Sequence, residues 1–278
     1  MDRQPTIAGV VLTLNEEHDL ERALRSLAWC DELLVVDSGS TDRTYEIAHQ
    51  CSANFVQHIQ PAPFLITEQR NWALNSAGLK SDWVLFLDAD EEVSSDLAIQ
   101  INSCISSSPK ADAYELTPRY WFLGKWLKLT QGFPNWHPRL VKRSRVHFEG
   151  GVWESFPPGT IVGRLSIPYE HYAFSKGLDD WLERHRRYAT WDANQIYDYL
   201  TRSNPAASST QRRRVLRLLM SRLWFLRPPL RFFQKYIIQF GFVEGWQAFL
   251  FSLLMSFYDL MTVIKVIELL RTKRGLPL

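Results

Sequence analysis

Hydrophobic residues in the first 105 positions form short continuous runs, separated by stretches in which apolar residues recur every three or four positions. Such runs lie within the predicted strands 9–14, 33–37 and 82–90, and a shorter strand is predicted at 54–59. Apolar runs of this length are typical of strands buried on both faces. The intervening stretches, such as 66–77 and 94–105, are typical of helices. Strands that alternate with helices predict a parallel sheet with right-handed crossovers.

The pattern changes twice after residue 105. From 112 to 172, aromatic residues, Pro and Gly interrupt short extended runs, which predicts a loop-rich, partly antiparallel extension of the sheet. From 178 onward the spacing is helical, with an interruption at Pro228 and Pro229 and a linker predicted at 204–210. The stretch 246–264 contains one charged residue, Asp259.

Charge divides the chain into two parts. Residues 1–150 carry a net charge of −6, and residues 151–278 carry +8. This asymmetry predicts an anionic partner for the second half, either a membrane or a nucleic acid. The three cysteines are widely spaced with no CxxC pair, which argues against a disulfide scaffold or a zinc ribbon and fits a reducing compartment. The first apolar run is too short, and too soon followed by acidic residues, for a signal peptide.

The strongest chemical signal is a D-x-D triplet, Asp88-Ala89-Asp90, directly after the most apolar predicted strand. Ligands bind at the carboxyl ends of strands in open parallel sheets. Two carboxylates one residue apart can hold Mg²⁺ or Mn²⁺ against a diphosphate, because both ions prefer oxygen ligands. Such a triplet often arises by chance, so its position after this strand is what favours a metal site.

Further polar groups follow the other predicted strands. Thr13, Asn15 and Glu16 lie at the end of the first strand, where they could bind a nucleobase or ribose, although Asn15 could equally cap the next helix. Asp37 ends the second strand and could accept a hydrogen bond from a base. Arg70 lies within a helix, where a lone arginine is commonly solvated. Their shared position at one sheet edge predicts one site.

Four of these segments together resemble the nucleotide-sugar-binding half of the family 2 inverting glycosyltransferases, which have a GT-A fold. They are VVLTLNEE, VVDSGSTDRT, EQRNWAL and WVLFLDADEEV. Later segments are similar to bacterial membrane-associated members that extend lipopolysaccharide core sugars, and the resemblance covers residues 6–268. The later segments include LVKRS, GRLSIPYEHY and GLDDWLERHRRYATWDA.

The resemblance implies an α/β fold of GT-A type, with a mostly parallel nucleotide-binding sheet flanked by helices and a C-terminal helical, membrane-associating tail. Residues 1–175 would form the catalytic domain, with a nucleotide-sugar-binding half at 1–105 and an acceptor half at 106–175. Residues 176–278 would form the basic and apolar helical region. That tail is expected to lie on anionic lipid at the cytoplasmic face of the inner membrane, with a single span as the second alternative and a buried core or oligomer helix as the third.

The activity implied is a metal-dependent, inverting transfer of a sugar from a nucleoside diphosphate sugar, in most members UDP-linked. The acceptor would be a lipid-linked or lipopolysaccharide-type glycan, and the cofactor Mg²⁺ or Mn²⁺. The residues implied to contact the nucleotide sugar are Thr13, Asn15, Glu16, Asp37, Arg70, Asp88 and Ala89. The implied metal ligands are Asp88 and, principally, Asp90.

The acceptor hydroxyl needs a base, because it is a poor nucleophile at neutral pH. We predict Glu154 in this role, with Glu149 as the second candidate. Many relatives carry a His-Glu pair near this position, whereas this sequence has Trp153 in place of the histidine. The role of that histidine is therefore absent here or moved to His147 or His171, and His171 is a further predicted metal ligand.

Two other classes of function fit part of the sequence. A nucleic-acid-binding protein without catalysis would use the basic residues 212–235, but these alternate with leucines and aromatics that suit lipid or core better, so no nucleic acid is expected. A sugar nucleotidylyltransferase would need a glycine-rich phosphate loop after the first strand, where this chain has Asn15, Glu16 and Glu17.

Overall fold

A computed structural model describes residues 3–61, 64–107, 109–150, 154–201 and 223–278. The chain divides into two compact units. The first consists of Met1–Trp121 and Phe133–Ser175, and the second of Phe122–Gly132 and Lys176–Leu278. The segment Phe122–Gly132, which lies inside the predicted acceptor half, therefore belongs to the second unit.

Most of the thirteen strands in the described residues belong to the first unit, and the short strand Lys125–Trp126 belongs to the second. In chain order they are β1 (Ile7–Thr13), β2 (Glu32–Asp37), β3 (Asn54–Gln57), β4 (Trp83–Asp88), β5 (Glu91–Glu92), β6 (Ala113–Leu116), β7 (Pro118–Phe122), β8 (Lys125–Trp126), β9 (His137–Lys142), β10 (Glu149–Gly150), β11 (Glu154–Ser155), β12 (Val162–Arg164) and β13 (Tyr169–His171). The helices of the first unit are α1 (Leu20–Ser26), α2 (Thr44–Gln50), α3 (Ile66–Ser76) and α4 (Ser95–Ser106).

The main sheet has seven strands in the order β12-β6-β9-β4-β1-β2-β3. Strands β1 to β4 run parallel, and β9 is antiparallel to both of its neighbours, β4 and β6. The parallel half and its partly antiparallel extension are thus as the sequence predicts. A smaller sheet in the first unit places β13 between β5 and β7.

Burial on both faces explains why the central strands are continuously apolar. Every residue of β1 is buried. Val11 and Leu87 pack into the core on one side of the sheet, whereas Val10 and Phe86 pack into the core on the other. Because both faces are covered, these strands cannot alternate with polar residues, and the polar groups collect at the strand ends.

Neither of the first two helices begins directly after its strand. Helix α1 begins at Leu20, so Asn15, the alternative cap, lies well before it, in a loop with φ of 57°. Helix α2 begins at Thr44, whereas β2 ends at Asp37. In both cases the polar residues after the strand hold the two loops together instead of starting a helix.

The second unit is mainly helical in its described part. It contains α5 (Gly177–Thr201), α6 (Arg227–Phe232) and α7 (Trp246–Lys273), with a π-helical segment at Phe233–Ile238 and 3₁₀ turns at Trp224–Leu226 and Gly241–Glu244. The predicted linker at 204–210 and most of the basic stretch that follows lie outside the described residues.

Two features of this unit bear on the tail prediction. Pro228 and Pro229 occupy the first turn of α6, where the missing N–H groups break no helical hydrogen bond. Helix α7 is long and apolar enough, by length and composition, to cross a membrane.

Candidate active site

The ends of the parallel strands bring the predicted polar residues to one edge of the sheet. Thr13 pairs in register with Asp37 across β1 and β2, and Leu12 pairs with Asp88 across β1 and β4. Asp90 lies two residues beyond β4. The juxtaposition expected from the strand pattern is therefore present, since parallel strands end at a common edge.

Asp37 is fully buried, and its carboxylate accepts several hydrogen bonds from its surroundings. Thr13 Oγ1 donates to Oδ1 at 2.9 Å, and the backbone N–H groups of Gly39 and Ser40 donate to Oδ2 at 2.9 and 2.8 Å. Burial alone would raise the pKa of Asp37, but the Ser40 hydroxyl and these backbone groups lower it below its ordinary value. Asp37 thus holds the loop after β2 in place, and its contact with a nucleobase remains a prediction.

The loop after β1 is fastened to the loop after β2 by hydrogen bonds. Asn15 N–H donates to Ser40 Oγ at 2.8 Å, and Asn15 Oδ1 accepts from the Thr41 N–H at 2.9 Å. Glu16 N–H donates to Thr44 Oγ1 at 2.9 Å. These bonds hold the two loops in place at the edge of the sheet. The predicted nucleotide-contacting residues Asn15 and Glu16 therefore lie on a preformed surface.

Arg70 is buried at the centre of a charged cluster, not solvated on a helix face. Its side chain is 2% exposed, and Nη1 donates to Glu154 Oε2 at 2.6 Å. Nη2 lies 3.3 Å from Asp88 Oδ1. Arg70 thereby links α3 to the end of β4 and to the predicted base, Glu154.

A second buried arginine completes this cluster. Arg139 Nη2 lies 2.9 Å from Asp88 Oδ2 and 2.6 Å from Glu91 Oε1. Glu91 Oε2 accepts from the Asp88 backbone N–H at 2.9 Å. Asp88 is therefore held from two sides by guanidinium groups, and its own backbone is anchored by Glu91.

Burial and charge set the protonation of this cluster. Partial burial alone would raise the pKa of Asp88, but Arg139 and Arg70 hold it well below its ordinary range. Burial raises the pKa of Glu91 to about 7, against the opposing effect of Arg139. Burial likewise raises the pKa of Glu154 above its ordinary value, with Arg70 opposing. Perturbed carboxylates in a cleft are typical of functional sites.

Glu154 has one carboxylate oxygen available for chemistry. Its Oε2 is held by Arg70, whereas Oε1 has no hydrogen-bond partner among the described residues. Trp153, the residue in place of the family histidine, lies outside the described residues. The second candidate base, Glu149, is exposed and lies 3.4 Å from the exposed His147, from Oε1 to Nε2. Of the two, only Glu154 joins the buried cluster.

Asp90 and His171 form the pair that could hold a metal ion. His171 Nε2 lies 3.5 Å from Asp90 Oδ2, and the Tyr120 ring packs 4.8 Å from the His171 ring. Burial alone would lower the pKa of His171, but Asp90 and Glu91 raise it above its ordinary value. Ala89 is buried in the turn between the two aspartates.

A divalent cation at this site would have few ligands from the protein. Both oxygens of Asp88 are engaged by arginines, so its role as a ligand remains a prediction. In the described part of the chain, no three His, Cys, Asp or Glu side chains are grouped as a ready-made metal site. One carboxylate and one imidazole leave most positions to phosphate oxygens and water, as is usual for Mg²⁺. The arrangement suits a cation bound together with a diphosphate.

Sequence reasoning missed three members of this cluster. They are Glu91, which directly follows the D-x-D triplet, Arg139, which lies within the buried strand β9, and His137, which begins that strand. Burial, followed by the charge of Arg139, lowers the pKa of His137 to about 4. One signal was present: Arg139 directly precedes the apolar pair Leu140 and Val141, and a charged residue in a buried strand is almost never buried without a partner.

Comparison with known families agrees with this geometry. Residues 10–102 match the family model described as Glycosyl transferase family 2. This segment is a family 2 glycosyltransferase domain. The family resemblance seen in the motifs is confirmed for this segment.

Relatives of this glycosyltransferase domain differ in how much of the chain they share. An uncharacterized glycosyltransferase of Rickettsia bellii is 38% identical over 110 residues, which are 39% of this chain and 35% of that protein. The lipopolysaccharide core biosynthesis glycosyltransferase LpsC of Rhizobium meliloti is 21% identical over 270 residues, which are 94% of this chain and 92% of LpsC.

Solved structures with partial similarity include glucosyl-3-phosphoglycerate synthase from Mycobacterium tuberculosis in complex with Mn²⁺, UDP and glucosyl-3-phosphoglycerate. It is 24% identical with a TM-score of 0.38, and the match covers 50% of this chain and 57% of that one. TarS 1–349 of S. aureus is 17% identical with a TM-score of 0.43, covering 68% of this chain and 66% of that one.

Proposed function

We propose that the protein is an inverting glycosyltransferase that moves a sugar from a nucleoside diphosphate sugar, UDP-linked, to a lipid-linked or lipopolysaccharide-type glycan. The observation that carries the proposal is the charged cluster at the strand edge. There Asp88 and Glu154 are paired with Arg70, Asp90 is paired with His171 two residues beyond Asp88, and Thr13 and Asp37 are hydrogen-bonded at the ends of neighbouring strands. The relationship to LpsC over nearly the whole chain supports the class of acceptor.

Inversion requires the acceptor oxygen to attack the sugar from the side opposite the departing nucleotide. In our proposal Glu154 accepts the hydroxyl proton on Oε1 while Arg70 holds Oε2. A raised pKa suits a base that must take up a proton near neutral pH. Arg70 keeps the carboxylate oriented, which reduces the entropy cost of reaching the reactive geometry.

The leaving diphosphate gains negative charge as the glycosidic bond breaks. Mg²⁺ or Mn²⁺ would be held by Asp90 and His171, with Asp88 close by, and when bound it neutralises that charge. Asp88, fixed by two arginines, stands next to the donor and can orient its ribose. Thr13, Asn15, Glu16 and Asp37 would line the nucleoside side of the same edge.

The second unit is the part of the chain that we propose to contact a membrane. A lipid-linked acceptor is reached at a membrane surface, and α7 has the length and composition for membrane contact. We propose that the protein works at the cytoplasmic face of the inner membrane.

Calorimetric titration of UDP into the detergent-purified protein tests the donor site. We expect binding in the presence of Mn²⁺ that weakens with EDTA and is lost in Asp90→Asn. The matched control is Asp96→Asn, the same change at an exposed position in α4, which should bind as the unaltered protein does. Equal binding by a folded Asp90→Asn protein would contradict the metal role. No UDP binding at all would contradict the donor, and GDP, dTDP and nucleic acid would then be titrated.

A further inference from the structure

The outer face of α7 is apolar without interruption over most of its length. Every exposed position between Trp246 and Ile267 carries Trp, Phe, Leu or Ile. Steps of three and four residues place these side chains on one side of the helix. They include Trp246, Leu250, Leu253, Phe257, Leu260 and Ile264. A helix face turned to water normally carries polar residues, so this face is built for another partner.

The polar residues of α7 face the opposite way, into the unit. Ser252, Asp259 and Thr262 are buried. Asp259 is paired with two arginines of the preceding helix, Arg227 and Arg231, each at 2.9 Å. The charge in the middle of α7 is therefore neutralised inside the unit, and the exposed side chains from Trp246 to Ile267 are all apolar.

Charge and aromatic content identify anionic lipid as the partner. The described residues 223–278 contain seven basic and three acidic side chains. A second copy of this chain would bring a like charge to the interface, whereas anionic headgroups attract it. Near the start of α7, Phe233, Phe240 and Trp246 are exposed, and such aromatic side chains favour the membrane interface.

The packing of α5 against α7 distinguishes a helix α7 that lies on the membrane from one that crosses it. Helix α5 packs against α7, and Tyr258 in the middle of α7 donates to Asp192 Oδ2 of α5 at 2.6 Å. On the same stretch of α5, Glu183, Arg186 and Arg187 are exposed. If α7 crossed the bilayer, these charges would lie near the depth of its centre, where charged side chains are costly.

We infer that α7 lies in the plane of the membrane, with its apolar face among the lipid tails of one leaflet and α5 on the water side. At about 42 Å, α7 is longer than the roughly 30 Å hydrocarbon core, so its length does not require a span. This inference rests on the proposed function only in supposing a membrane, because it concerns the second unit alone.

Flotation of the full chain with vesicles of phosphatidylglycerol and phosphatidylcholine tests the apolar face. The triple variant Leu253→Gln, Phe257→Gln, Leu260→Gln should bind at least tenfold less than the unaltered protein. The control carries three comparable changes in the first unit, Ile59→Gln, Ile99→Gln and Ile161→Gln, and should float normally. Both variants should keep UDP affinity, so a failed donor site would be seen in the titration and not here.

Equal flotation of the triple variant would overturn the inference. The same holds if the triple change converts a dimer to a monomer in light scattering without weakening flotation, because the face would then bind a second copy. If the unaltered protein does not float at all, the membrane part of the proposed function fails with it.

Labelling with a membrane-impermeant maleimide distinguishes an in-plane helix from a span. A single cysteine replaces Val243, just before α7, or Leu278, beyond the end of α7, in a variant whose native Cys30, Cys51 and Cys104 are changed to Ala, and each protein is studied in sealed inner-membrane vesicles. We expect both cysteines to be labelled from the same side, with no gain at either position when detergent opens the vesicles. Labelling of the two positions from opposite sides would show that α7 crosses the bilayer and would overturn the inference.

Discussion

Each unit of this molecule contains a cluster of arginines and carboxylates, but the two clusters are completed differently. In the second unit, Asp259 is paired with Arg227 and Arg231 on both oxygens, and Arg227 also reaches Asp192 at 3.4 Å. Two cations there balance two anions. The cluster joins α5, α6 and α7, and each of its charged groups has an ion-pair partner within the unit, although Asp259 Oδ1 meets Arg227 without hydrogen-bond geometry.

The cluster of the first unit is neither balanced nor complete. Two arginines face three carboxylates, Asp88, Glu91 and Glu154. The Nε and Nη1 atoms of Arg139 and Oε1 of Glu154 are buried without a hydrogen-bond partner in the described ranges. Unsatisfied buried polar atoms are costly, so their retention indicates a site that is completed by a ligand. The same residue types thus hold helices together in one unit and, in our proposal, serve chemistry in the other.

Among the variants that test this difference between the two clusters, Glu154→Gln is expected to have the largest effect. Loss of a general base should lower turnover by about 10²–10⁴-fold while UDP affinity stays unchanged, because the amide can still accept from Arg70. A base works only when deprotonated, so the rate of the unaltered enzyme should rise with pH through the pKa of Glu154. Burial raises that pKa, which moves the acidic limb above the ordinary value of 4.5. UDP release measured across pH with an active donor and acceptor checks both points.

The control for this prediction is Glu149→Gln, the same change at the exposed second candidate. It should leave both the rate and the acidic limb nearly unchanged. If the affinity of Glu154→Gln for UDP falls in step with its rate, Glu154 is a binding or structural residue and the contrast between the two clusters weakens.

The next largest effect is expected on stability, from Arg139→Ala. Removing one partner from a buried ionic cluster leaves uncompensated charge, here on Asp88 and Glu91, and lowers the free energy of unfolding by about 3–5 kcal/mol. Arg139→Lys keeps the charge and should lose less. Urea denaturation measures the difference. Arg164→Ala, at an exposed pair with Glu115, is the control and should lose at most about 1 kcal/mol. Equal losses at Arg139 and Arg164 would mean that water reaches the cluster.

Much of the first unit could be predicted because its strands are buried on both faces. Residues 33–37 and 82–90 are apolar runs with turn or acidic residues directly after them, and they form β2 and β4 almost as predicted. The common edge follows from parallel strands alone. The start of α1 could not be read from the sequence, because Asn15 bonds to Thr41 in a neighbouring loop, a tertiary contact that local spacing does not reveal.

The pairing of charged residues within the site could not be predicted from the sequence either. Arg70 and Glu154 are 84 positions apart, and Arg139 reaches Asp88 from a strand antiparallel to β4. Sequence spacing reports which residues share a face of one element, not which elements meet. Arg70 was therefore a candidate without a known partner, and Arg139, which the four quoted motifs do not include, was missed.

The smallest of the expected effects is on the complete cluster, through Asp259→Asn. The amide keeps the shape of the side chain but leaves Arg227 and Arg231 without their shared anion. Their side chains are 18% and 30% exposed, against 6% for Arg139, so water can compensate them in part. We expect a loss of about 1–3 kcal/mol in the free energy of unfolding, smaller than for Arg139→Ala, with UDP affinity unchanged. Urea denaturation and UDP titration in the same detergent measure the two quantities. A loss as large as that of Arg139→Ala, or a fall in UDP affinity, would remove the distinction between a cluster that holds helices together and one that binds substrate.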